Sequence, residues 1–137
     1  MRVSVVIPGY NAAAYLRETI ATAQAQTHAA AEVIVVDDGS RDDTAAIAHA
    51  CAGVRVVEQT NQGVGVARNA GLRVATGDFA LFLDADDRLL PHAIATGLAA
   101  FAEHPASGFV YGASRVIGPD GSVLPRPARP PVVDASY

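Results

Sequence analysis

Short apolar runs alternate along this chain with longer stretches whose apolar residues recur at helical spacing. Residues 3–7, ended by Pro8-Gly9, 33–36 and 79–83 are apolar runs too short and too β-branched for buried helices. They predict central strands of a parallel sheet, with a short further strand over 54–57. Between them, Leu16, Ile20 and Ala23 mark one face of a helix running from an N-cap at Asn11 to about Gln26. Ser40 followed by Asp43 resembles a capping box, opening a helix to about Ala52 that turns Ile47, Ala48 and Cys51 inward. A third helix over 64–75 carries a small-residue face of Ala67, Ala70, Gly71 and Val74. Pro91 suits the first turn of a fourth, whose inward stripe is Ile94, Leu98 and Phe101. Phe109 to Ile117 predicts a fifth strand, and Pro119-Asp120-Gly121-Ser122 a turn back into Val123-Leu124. The alternation predicts a Rossmann-like three-layer α/β/α domain around a mainly parallel sheet over residues 1–124. A Pro-rich extended tail follows over 125–137.

Two of the strands stop abruptly in acid. Residues 33–36 run into Asp37-Asp38-Gly39-Ser40, and residues 81–83 into Asp84-Ala85-Asp86-Asp87. In an open α/β sheet the ligand crevice lies outside the carboxyl ends of the strands. The two strands are expected to be neighbours, delivering five Asp side chains to one crevice. Crowded carboxylates repel, a cost that is tolerable when a cation sits between them. A divalent metal holding a phosphorylated ligand is therefore the expected occupant. Along a strand, positions i and i+2 share a face, so Asp84 and Asp86 are expected to converge on it.

Composition narrows the classes. The 137 residues are half hydrophobic and carry a net charge of -4, which suits one globular domain and argues against nucleic-acid binding. The single cysteine, Cys51, excludes an internal disulfide and a Cys-rich zinc site. All ten basic residues are Arg. Without Lys there is no Walker-A loop, and the absence counts against receiver-type phosphoacceptors and aspartate-nucleophile phosphatases, which generally pair their carboxylates with a Lys. No apolar run nears the ~20 residues of a membrane span, and the amino end enters a strand directly. The expected setting is the cytosol, at most peripheral at the inner face of a membrane. Four scattered histidines show no ligand spacing.

Taken in order, Pro8-Gly-Tyr10-Asn11, Asp37-Asp38-Gly-Ser40, Asn61-Gln-Gly63, Ala67-Arg68-Asn69-Ala-Gly71, Gly77-Asp78 and Asp84-Ala-Asp86-Asp87 resemble the family 2 glycosyltransferases. The resemblance covers roughly residues 1–115 and implies a GT-A fold and a nucleotide-diphosphate sugar donor of UDP or dTDP type. It implies hexosyl transfer to a glycan or other acceptor. It further implies Mn²⁺ or Mg²⁺ on a DxD motif, with Asp86 and Asp84 as metal ligands. Pro8, Tyr10 and Asp38 then fall to the nucleoside, with Asp37 structural and Asp87 capping or orienting. Arg68 falls either to the diphosphate or to an ion pair that orients the acids. A sugar-phosphate nucleotidyltransferase would want a Gly-rich basic loop after the first strand, which Pro8-Gly-Tyr-Asn-Ala does not supply.

In the family an inverting transfer takes its general base from the acceptor-binding half. Past the acidic motif the acids are Glu103, Asp120 and Asp134, none in that context, so no catalytic base is assigned. The expectation is a donor-binding portion lacking the later part of the usual domain, weak in transfer alone and self-associating through residues 109–124 or the Pro-rich tail. The alternative is a non-catalytic nucleotide-sugar-binding or assembly module.

Overall fold

Four parallel strands form one sheet in the order β3-β2-β1-β4 in a computed structural model that describes residues 1–125. They are β1 (Val3–Gly9), β2 (Glu32–Asp37), β3 (Val54–Glu58) and β4 (Phe79–Phe82). The helices are α1 (Leu16–Gln24), α2 (Thr44–Ala50), α3 (Val64–Val74) and α4 (Ala93–Glu103). Every residue of β1 is buried, as is all of β2 after Glu32, because both strands have helices on both faces. Val5, Ile7, Val33 and Val35 face α1, α2 and α4 through Leu16, Ile20, Ala23, Ala48, Ile94 and Leu98. The alternate residues Val6, Ile34 and Val36 face α3 through Ala67. Gly71 lets α3 settle directly on the sheet: a Cβ there would lie inside the van der Waals envelope of Val6. The three-layer, doubly wound expectation holds.

From β1 the chain steps outward through β2 to β3. Helix α3 then carries it back across the opposite face and sets β4 on the other side of β1. The strand order thus changes direction at β1, where an open α/β sheet forms its crevice. One expectation is corrected here. β2 and β4 are not neighbours, because β1 lies between them, and their acidic ends stand two strand spacings, about 10 Å, apart.

Four local expectations also change. Asn11 does not cap α1: Tyr15 holds the N-cap position with no side-chain cap bond. Ser40 and Asp43 form no capping box. Asp43 is the N-cap of α2 without a cap bond, and the Thr44 N–H instead donates to Asp42 Oδ1 at 3.0 Å. Pro91 lies in the turn before α4, whose N-cap is His92. The fifth strand does not form within 109–117. An Ile117–Val123 antiparallel bridge, a Gly118 N–H to Ser122 carbonyl bond of 2.8 Å and a Leu124 N–H to Val116 carbonyl bond of 2.9 Å close a short hairpin there. A strand needs a partner along its length, and in this segment a β-bridge forms at Ile117. The expected tail lies outside the described residues from Arg126 on.

Candidate functional site

The carboxyl rim of the sheet is built from the loops that leave β1, β2 and β4. After β2, Gly39 takes φ +74, and a Cβ on it would stand 2.8 Å from the Asn61 nitrogen, so the turn admits only glycine beside the 59–63 loop. Asp38 precedes it and is buried. Its Oδ1 accepts from Gln59 Nε2 at 2.7 Å and the Gln62 N–H at 2.9 Å, and its Oδ2 from the Gly63 N–H at 2.8 Å. Burial pushes this carboxyl up, and those three donors more than reverse it, holding the group below the ordinary aspartate range. Asp38 thereby fixes the loop leading into α3. One of its roughly four lone-pair positions stays open. Asp37 is buried, with Oδ2 accepting from the Ser40 N–H at 3.3 Å and Oδ1 unbonded among the described residues.

Between these acids and β4 lies the end of β1. Pro8 is buried in the sheet, while Tyr10 is 48% exposed at the rim. Asn11 takes φ 51, the only non-glycine residue with positive φ among those described.

β4 ends at Phe82, and Asp84 to Asp87 form a turn closed by the Asp87 N–H to Asp84 carbonyl bond of 3.0 Å. Convergence therefore does not come from a strand pleat, as expected. Leu83 and Ala85 are buried, and Asp84 and Asp86 between and after them are exposed, Asp84 against Arg68 of α3 and Asp86 at a cleft beside Glu18 of α1. Burial first, then the charges of Asp86 and Asp84, push the Asp87 carboxyl above its ordinary range. Arg68, one turn into α3, reaches this turn and donates from Nη2 to Asp84 Oδ1 at 2.7 Å. Its guanidinium also lies 5.9 Å from the centre of the Phe82 ring. Of the two roles open to Arg68, the ion pair with the acids is the one observed. His92 bonds Thr27 Oγ1 at 3.1 Å and belongs to the join between α1 and the turn before α4.

Helix α1 holds the acidic turn in place, a function its sequence gives no local sign of. Thr19 Oγ1 donates to the Ala85 carbonyl at 2.8 Å, Thr22 Oγ1 accepts from the Leu89 N–H at 3.1 Å, and Gln26 Oε1 accepts from the Ile94 N–H at 3.1 Å. Glu18 pairs with Arg88 at 2.6 Å. Beside this seam lies an open cleft of about 200 Å³ lined by Tyr15, Glu18, Asp86, Arg88 and the Gly118-Pro119 hairpin. Such a volume is below the ~300 Å³ typical of small-molecule pockets, so a nucleotide would have to spread along the rim.

Asp84 and Asp86 offer the hard oxygen donors and the excess negative charge that suit a divalent cation. Among the described residues no group of three or more acids, histidines or cysteines stands ready to hold a metal unaided. A cation here would take its remaining ligands from a bound anion. Of the later acids, Glu103 follows Phe101, whose ring lies 4.8 Å from that of Phe79 at the start of β4, toward the opposite rim. Asp120 accepts from the Ser122 N–H and hydroxyl within its own turn, while Asp134 lies outside the described residues. No described helix is long and apolar enough to cross a membrane.

Residues 4–130 match the profile of glycosyl transferase family 2. A glycosyltransferase of Nostoc sp. strain PCC 7120, itself uncharacterized, is 36% identical over 128 residues, covering 90% of this chain and 40% of that protein. The crystal structure of S. aureus TarS 1-349 in complex with UDP-GlcNAc superposes at a TM-score of 0.68, with 34% identity over 77% of this chain and 32% of that one. Glucosyl-3-phosphoglycerate synthase from Mycobacterium tuberculosis, in complex with Mn²⁺, UDP and glucosyl-3-phosphoglycerate, gives 0.60 with 31% identity over 74% and 39%. The chain thus spans well under half the length of these relatives. It belongs to glycosyl transferase family 2 and carries the GT-A fold.

Proposed function

We propose that this chain binds a nucleotide-diphosphate sugar of UDP or dTDP type along the carboxyl rim, with Mn²⁺ or Mg²⁺, for hexosyl transfer to a glycan or other acceptor. The observation that carries the proposal is the exposed Asp84–Asp86 turn after β4, set beside β1 at the point where the strand order reverses. The solved relatives hold UDP-GlcNAc in one case and UDP with Mn²⁺ in the other.

On this reading Tyr10 flanks the base, Pro8 contributes its backbone beside it, and the open acceptor position of Asp38 takes a ribose hydroxyl or a base N–H. Asp84 and Asp86 hold the cation, whose chemistry is to neutralise charge that develops on the departing diphosphate. Arg68 orients Asp84 and brings its guanidinium to the phosphate side of the rim. Asp87 stays a capping or orienting group.

A second reading, a donor-binding module that transfers no sugar by itself, is supported by the placement of the later acids. Glu103 lies toward the far rim and Asp120 is engaged within its own turn. Calorimetric titration of UDP with and without Mn²⁺, followed by a UDP-release assay, separates the two. Metal-dependent binding with release supports the transferase, binding without release the module, and no binding removes both. Phe109 and Tyr111, stacked at 6.4 Å and 77% and 89% exposed, support self-association through the 109–124 segment. Sedimentation that stays monomeric at every concentration would remove that part.

A further inference from the structure

Asn11 and its neighbours tie the loop after β1 to the loop after β2. Three consecutive backbone N–H groups point into the β2–α2 loop and find side-chain acceptors there. The Asn11 N–H donates to Ser40 Oγ at 2.9 Å, the Ala12 N–H to Thr44 Oγ1 at 2.8 Å, and the Ala13 N–H to Asp42 Oδ2 at 3.0 Å. One bond returns: Asn11 Oδ1 accepts from the Arg41 N–H at 2.8 Å. The same two loops are joined a little deeper by the Asp38 N–H to Gly9 carbonyl bond of 2.8 Å.

Asn11 meets this geometry in the left-handed region, at φ 51. Among residues with side chains, Asn and Asp tolerate that region best. The residue thus has to satisfy two conditions together, a left-handed backbone and a short side-chain acceptor. It helps to close no helix, since α1 begins only at Leu16.

We infer that Asn11 is a positioning residue for nucleoside recognition, holding Tyr10 at a fixed separation from Asp38. The inference rests on the donor reading above, which places those two groups on the base and ribose. Tyr10 directly precedes Asn11, and Asp38 lies two residues before Ser40, so both ends of the clasp adjoin the groups it spaces. Loosening it would let the β1 loop move relative to the β2 loop while the acidic turn, held by α1 through Thr19 and Thr22, stays in place.

The variants separate the two conditions. Asn11→Asp keeps both, Asn11→Gly keeps the left-handed backbone and loses the acceptor, and Asn11→Ala loses both. Affinity for UDP with Mn²⁺ and for inorganic pyrophosphate with Mn²⁺ is measured by calorimetry on the whole chain, with thermal melting alongside. Asn11→Gly is expected to lose about tenfold in UDP affinity, the scale of one hydrogen bond, with pyrophosphate affinity unchanged. Asn11→Asp stays within about twofold of the parent, and Asn11→Ala falls at least as far as Asn11→Gly while also melting earlier. The inference is overturned if Asn11→Gly binds UDP as the parent does, if Asn11→Asp falls as far as Asn11→Gly, or if pyrophosphate affinity drops in parallel. A parent chain that binds no UDP overturns the donor reading and the inference with it, whereas a parent that binds while the variants do not differ overturns the inference alone.

Discussion

At the amino rim of the sheet, Glu32 accepts from Ser4 Oγ at 2.6 Å and from the N–H and hydroxyl of Thr76 at 2.6 and 2.9 Å. Asp78 beside it accepts from the Arg2 N–H at 2.8 Å, and the Arg2 guanidinium donates to the Thr76 carbonyl. At the carboxyl rim, Asp86 and Asp87 have no side-chain hydrogen bond or ion pair among the described residues, and Asp84 has Arg68 alone. Glu32 and Asp78 thus meet donors of their own chain, as Asp38 does at the carboxyl rim, whereas the Asp86 and Asp87 side chains meet none among the described residues. Carboxylates satisfied by their own chain contribute stability, whereas like charges left without donors cost some.

Variants at the two rims should therefore have opposite profiles. The largest effect is expected from Asp86→Ala. Mn²⁺-dependent UDP affinity should fall at least about 100-fold by calorimetry, while the melting temperature holds or rises as like charges are thinned. A variant that binds as the parent does would take Asp86 out of the site. Glu32→Ala should do the reverse, losing about 2 kcal/mol in urea unfolding because three donors lose a charged acceptor, with UDP affinity intact. A drop in affinity there would join the rims functionally and break the contrast.

Acid sharpens it further. The hydrogen bond from Ser4, ahead of the opposing effect of burial and with those from Thr76, holds the Glu32 carboxyl below the ordinary glutamate range. A lowered carboxyl contributes stability that is present above its unfolded value, about 4.3, and is lost as pH falls through its folded value. Melting scans should show the parent losing stability below about pH 4.3 more steeply than Glu32→Gln. Equal slopes would deny Glu32 that role. The smallest effect belongs to Arg68→Gln. Its half-exposed ion pair should change stability by less than about 1 kcal/mol, read by urea unfolding, and a larger loss would show that Arg68 supports the fold itself.

How much of this was legible in the sequence depends on whether a feature is local. The strands β1 to β4 and the inward faces of their helices follow from runs and spacings contained in each segment, and they stand where those predict. Strand order is a relation between segments, so the alternation that gave β2 and β4 their acidic ends said nothing of β1 lying between them. The 109–117 segment has the side chains of a strand, but pairing is decided by a neighbour, and a single bridge is what forms. Asn11 was misread for a chemical reason. Asn suits a helix N-cap and a left-handed bend equally, and only the contacts of Ser40 and Arg41 separate the two. An ion pair between Arg68 and the acids is among the alternatives the sequence offers, because a guanidinium suits both phosphate and carboxylate, and the structure singles out Asp84.

The bare Cα of Gly71 has a reach beyond its own contact with Val6. Arg68 stands three residues before it on the same side of α3, so the depth to which that helix settles also sets how far the guanidinium extends over Asp84. A single added methyl, buried far beneath the solvent, would lift the helix like a shim under a lever and draw the cation back from the acids. In this domain the electrical character of the surface is adjusted from inside, by the thickness of one atom.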